Sequence, residues 1–128
     1  SRVLLPIHNS TGLIKVAKYC IKIANAYNIG IDIINITKDE NNSIDSKIIN
    51  KISKLIRRAK VDYNNIIEKG DIVDKIITQA GEDKIIVMGA SKMNPLKRYF
   101  KGSIPLSVMN RCNVPILIVK WLLNNYHS

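Results

Sequence analysis

The sequence predicts an open α/β domain: a parallel sheet of five strands with helices on both faces. Three observations carry this. Short β-branched runs alternate with helix-period segments along the whole of the 128 residues. That alternation contains neither an internal repeat nor an interior linker, so the chain makes one domain. And Ile85-Ile86-Val87-Met88 is unbroken apolar, as a strand covered on both faces must be. Successive strand–helix–strand units of this kind join by right-handed crossovers.

Taken in order, residues 2–7 read as a short apolar strand, followed by three helix-capping candidates, Asn9, Ser10 and Thr11. Leu13, Val16, Ala17, Cys20, Ile21, Ala24 and Tyr27 then recur on the one-faced period of a helix lying on a sheet. Asn28-Ile29-Gly30 ends it, and residues 31–36 form the second strand. A polar loop over 37–43 leads to a helix over 44–60, with Ile48, Ile52, Leu55, Ile56 and Ala59 on one face. Its lysines and arginines read as a solvated face. Residues 61–68 read as a third strand near a sheet edge, given Asp62, Asn64 and Asn65. Lys69-Gly70-Asp71 turns into a short helix through Ile72, Val73, Ile76 and Ile77. The fourth strand spans 84–88, a loop with one helical turn spans 89–102, and the last helix spans 103–111. The fifth strand runs from Val114 to Val119, and residues 121–128 form a tail beyond a domain of residues 1–120.

Composition narrows the classes. Hydrophobic residues make up 46% of the chain, enough for a packed core. No apolar run reaches the roughly 18 residues that span a bilayer, and the opening strand is too short for a signal peptide. The chain begins on Ser1, which fits a processed chain, a trimmed one, or a domain excised from a longer protein. The net charge of +10 raises nucleic acid or a membrane surface as a partner. Fifteen lysines against five arginines, with aromatics at 5%, argue against it. The isoleucine, lysine and asparagine excess also matches A/T-rich codon usage. Cys20 and Cys112 have no pairing or metal spacing and read as reduced thiols of a cytoplasmic domain.

In an open parallel sheet, ligands bind beyond the carboxyl ends of the strands where strand order reverses. Pro6-Ile7-His8-Asn9 and Met88-Gly89-Ala90-Ser91 are the segments that land there. The second opens a loop that closes on Gly102-Ser103 at a helix start, where glycine, free N–H groups and the helix dipole suit a phosphate. Lys92, Lys97, Arg98 and Lys101 lie in or beside that loop.

Gly89, the later Gly102-Ser103 pair, Asn113-Val114-Pro115 and the Leu-Leu-Pro opening strand together resemble the universal stress protein family over residues 2–120. The resemblance implies a Rossmann-like sheet of order 3-2-1-4-5 and an adenine-nucleotide site, ATP or AMP, with Mg accompanying the phosphates. Pro6, Ile7, Met88, Gly89, Ser91, Gly102, Ser103 and Ile104 fall in its binding segments, and Ile36 falls where the family walls the adenine. Three positions depart from the family pattern. His8 stands for the aspartate that ends the first strand, Lys92 for the middle glycine, and Pro105 for a hydroxyl residue. Lys92 would replace a glycine contact by an ammonium–phosphate pair or would block close backbone approach. His8 would stack on a base or hydrogen-bond to it. Gly-Ala-Ser followed by Gly-Ser-Ile-Pro is similar to the variant of this domain attached to membrane transporters.

Two functional expectations follow. The first is a non-catalytic regulatory domain that binds an adenine nucleotide; the sequence holds no Ser–His–Asp arrangement, metal-spaced cluster or paired carboxylates at the expected site. Asn9-Ser10-Thr11-Gly12 also stands where related ATP-pyrophosphatases carry a Ser-Gly-Gly loop. The second is a dimeric interaction module without nucleotide, including the cytoplasmic regulatory domain of a membrane transporter. Either is expected to form a homodimer through the strand from Val114 to Val119, an apolar edge that needs cover.

Overall fold

The computed structural model describes residues 1–7, 12–37, 46–92 and 104–122. Among these residues five strands and four helices alternate: β1 (Arg2–Ile7), α1 (Leu13–Tyr27), β2 (Gly30–Thr37), α2 (Ser46–Arg58), β3 (Tyr63–Lys69), α3 (Ile72–Ala80), β4 (Ile85–Lys92), α4 (Ile104–Arg111) and β5 (Ile116–Leu122). The sheet is all parallel, in the order β3-β2-β1-β4-β5. This is the doubly wound class expected from the alternation of elements.

Side chains alternate across each strand, so every strand feeds two apolar layers. Val3, Leu5 and Ile7 of β1, with Ile31, Ile33 and Val87, meet Val16, Cys20, Ile52 and Ile56 of α1 and α2. Leu4, Ile34, Ile36, Ile86 and Met88 point to the other side, where Ile76 and Ala80 of α3 and Val108 of α4 cover them. The central strands are therefore apolar on both faces, while β3, at an edge, carries exposed Asn64 and Asn65.

Several boundaries differ from the sequence expectation. The N-cap of α1 is Gly12, at φ 72°, with no side-chain cap. Asn28 ends the helix in the left-handed region at φ 56°, and Gly30 already belongs to β2. Asp71 caps α3 by accepting a 2.9 Å hydrogen bond from the Asp74 N–H.

The largest correction concerns β4. Gly89-Ala90-Ser91-Lys92, expected as the start of a loop, continues the strand. The cause lies in its neighbour: β5 also runs on through Trp121 and Leu122, and the two pair in register from Ile86–Ile116 to Lys92–Leu122. A glycine weakens a strand interior but does not end it when a partner strand continues alongside. Trp121 and Leu122, expected in a tail, are accordingly strand residues.

The amino end of the sheet is fastened by ions. Asp32, buried at 3% exposure on β2, receives Arg2 Nε at 2.7 Å, Lys84 Nζ at 2.8 Å and Asn64 Nδ2 at 3.0 Å. Arg2 also reaches Asp62 at 2.9 Å and donates to the Ile31 carbonyl at 3.1 Å. One carboxylate thus joins β1, β2, β3 and the residue preceding β4. Gly30 makes room for it: a Cβ there would stand 2.5 Å from the Arg2 guanidinium.

Candidate functional site where β1 and β4 part

β1 pairs with β2 along its whole length, from Arg2–Gly30 to Ile7–Asn35. Its ladder with β4 is far shorter, comprising Val3–Ile85 and Leu4–Ile86. Beyond Leu4 the two strands part. Pro6 assists, because it has no N–H to donate to either neighbour and central strands seldom accept that loss. The parting falls at the point where strand order reverses, since β1 connects through α1 to β2 and β3 crosses through α3 to β4.

The predicted residues distribute around this point. Ile36, Met88 and Ile104 share the apolar layer on the α3/α4 side, where Ile36 is 3% exposed and Met88 fully buried. Buried Pro6 follows Leu4 by alternation onto the same side. Ile7 lies in the opposite layer, under α1. Gly89 is half-buried and opposes Val119 in the β4–β5 ladder. Ser91 and Lys92 belong to β4, their backbones paired with Trp121 and Leu122, so Lys92 extends a strand where a loop was expected. His8, Gly102, Ser103, Lys97, Arg98 and Lys101 lie outside the described residues.

Ile104 opens α4, which must run back from the carboxyl end of β4 to the start of β5. Its amino end therefore faces the same rim as the parting. Pro105, second in the helix, removes one of the N–H donors that a first turn normally presents.

Two features at this end escaped the sequence reading. The first is the amino end of α1: Gly12 takes the cap position, and the first turn holds neither an acidic residue nor a side-chain cap. Its N–H groups and helix dipole favour an anion. A capping residue was expected among Asn9, Ser10 and Thr11, and the glycine behind them was the missed signal. The second is Asn35, whose Oδ1 is buried without a hydrogen-bond partner. It sits at the carboxyl end of β2, opposite Ile7, and its polar amide inside an isoleucine run was legible as an anomaly. An unpaired buried acceptor costs about 1–3 kcal/mol.

The sequence model of the Universal stress protein family matches residues 1–120. The chain belongs to this family. Among solved structures, a universal stress protein in complex with cAMP superposes with a TM-score of 0.74 at 18% identity, covering 93% of this chain and 96% of that one. A universal stress protein from Archaeoglobus fulgidus in complex with dAMP gives 0.68 at 15% identity, over 93% and 97% of the two chains. A second protein from Archaeoglobus fulgidus DSM 4304 gives 0.73 at 20% identity, over 93% of this chain but 43% of its own length. At these identities the likeness shows the fold alone. Among curated proteins no sequence match is found.

Proposed function

We propose that this universal stress protein domain is a regulatory, non-catalytic binder of an adenine nucleotide, ATP or AMP, held where β1 and β4 part. The observation that carries the reading is the short β1–β4 ladder, which ends at Leu4–Ile86 and leaves Pro6, Ile7, Met88 and Gly89 bordering the switch point. The crystallised relatives with cAMP and dAMP support the ligand class. The residues present fit such a ligand in kind. On the α3/α4 side Ile36, Met88 and Ile104 supply apolar contacts; on the α1 side stand Asn35 Oδ1, an unused acceptor suited to an amino group, and the uncapped start of α1, which suits phosphate. His8, Ser91, Lys92, Gly102 and Ser103 complete the proposed set, with Mg accompanying a triphosphate.

A non-catalytic role fits the position of the carboxylates. Asp32 is the buried acid among the described residues, and it is held at the amino end of β2 by Arg2 and Lys84, away from the proposed site. Regulation would then rest on different affinities for two states of a dimer formed through β5, or of a partner such as a membrane transporter.

A second reading, an interaction module without nucleotide, is favoured by Pro105 in the first turn of α4 and by Lys92 in the glycine position. Calorimetric titration with ATP and AMP separates the two, together with chromatography of any nucleotide released on denaturation. Micromolar binding abolished by Gly102→Val supports the first. Neither heat nor released nucleotide, with a melting temperature unmoved by millimolar ATP, selects the second.

A further inference from the structure

Among the described residues, charge is not spread evenly over the two helical layers. On α1 the outward stripe is Lys15, Lys18 and Lys22; on α2 it is Lys51, Lys54, Arg57 and Arg58, all exposed. Neither helix contains an Asp or Glu. The opposite layer is mixed: Asp74 pairs with Arg111 at 2.7 Å and Glu68 with Lys75 at 3.3 Å, while Asp71, Glu82 and Asp83 add further negative charge there. Codon bias explains many lysines, but it does not remove every acid from two neighbouring helices.

We infer that the α1/α2 face docks on an anionic phospholipid bilayer surface. α1 and α2 lie side by side over one sheet face, and their apolar stripes (Val16 and Cys20; Ile52 and Ile56) are spent in their own core. What they offer outward is therefore mainly charge, with Tyr19 and Tyr27 of α1 as the large exposed apolar side chains. α1 alone is about 22 Å long, so the two stripes make a broad cationic surface. Lysine predominates, a point charge that suits a diffuse field of phosphates and carboxylates rather than the edge of one base. These cations run along the exposed sides of the two helices, and lysine outnumbers the arginine that reads guanine edges in a major groove. Tyr19 and Tyr27 stand 40% and 68% exposed on α1, and Lys22 Nζ lies 5.4 Å from the Tyr19 ring centroid. Tyrosine beside lysine is the pairing found at headgroup level.

The test is co-sedimentation of the folded chain with vesicles of phosphatidylcholine alone, or with 30% phosphatidylserine, where roughly that anionic share sets the surface field. The expected result is binding to the anionic vesicles at low salt and release at high salt. Each cation near the surface carries a comparable share of the attraction, so Lys54→Gln with Arg58→Gln should weaken partitioning about thirtyfold. Lys75→Gln with Arg111→Gln, an equal charge change on the other layer, should leave it within about twofold. No binding to anionic vesicles, equal loss in both double variants, or tighter retention by duplex DNA at matched salt would each overturn the inference. Melting curves of both variants confirm that they remain folded.

Discussion

Arg2 Nε and Asp32 Oδ1 lie 2.7 Å apart across the β1–β2 ladder, with the carboxylate almost fully buried. Burial by itself would raise the Asp32 pKa; hydrogen bonds from Lys84, Asn64 and Arg2 outweigh it and hold the group below its ordinary value. A carboxylate whose folded pKa is depressed stabilises the fold above its unfolded pKa of about 3.9 and loses that contribution as pH falls through the folded value. Asp32→Asn should therefore lower stability at pH 7 by about 3 kcal/mol, since it leaves Arg2 and Lys84 without their shared partner. The gap between wild type and variant should begin to narrow as pH falls below about 4. Denaturant melts across pH 3 to 7 check both, and a pH-independent gap would refute the assignment.

Gly30 and Arg2 should be energetically coupled. A methyl at Gly30 must displace a guanidinium held by three acceptors, so Gly30→Ala should destabilise the native chain by about 1–2 kcal/mol. In an Arg2→Ala background the same change should be neutral or slightly stabilising, because the unfolded chain loses freedom. A double-mutant cycle measures the difference directly.

Asn35→Leu should separate stability from binding. It removes a buried acceptor with no partner, so the melting temperature of the free domain should hold or rise. If Asn35 Oδ1 accepts from the ligand, nucleotide affinity should fall tenfold or more by calorimetry, roughly one hydrogen bond left unmade. Unchanged affinity would remove Asn35 from the site.

Pro105→Ser should strengthen nucleotide binding. The change restores a backbone donor in the first turn of α4 and adds a hydroxyl, and a charge-assisted hydrogen bond to phosphate contributes roughly 1.5–3 kcal/mol. Titration of AMP against both chains reads the effect; no gain would place the phosphates elsewhere.

Leu117→Glu should weaken self-association. Leu117 is 39% exposed on the outer strand β5, where burial against a second copy would stabilise a pair. Sedimentation at micromolar concentration should give a dimer for the native chain and a shift toward one chain for the variant.

The fold was legible because its signals are redundant. The Ile85–Met88 run fits a strand covered on both faces, the one-faced period of Leu13, Val16, Ala17 and Cys20 fits a helix lying on a sheet, and their alternation along the chain gives the parallel class. The ends of elements were less legible, because they depend on partners distant in sequence. Gly89 reads locally as a break, yet β4 passes through it since Val119 lies alongside. The site was legible in position, through the switch-point rule, more than in detail. Pro6, Met88 and Gly89 follow the end of the β1–β4 ladder, whereas Asn35 stands out only when its amide oxygen is found buried and unpaired. Nor does periodicity reveal that Asp32 is a fastening, since its partners Lys84 and Asn64 come together only through strand order.

That fastening has a mechanical consequence. Lys84 reaches Asp32 across the whole width of β1, so the seam between β1 and β4 is clipped at one extremity and released at the other. The sheet is then two wings, β3-β2-β1 and β4-β5, that share a short spine at Val3–Ile85 and Leu4–Ile86. On the proposed function, a nucleotide lodged at the released rim would bear on both wings at once, and a change in the angle between them would reach β5, the outer strand of the smaller wing.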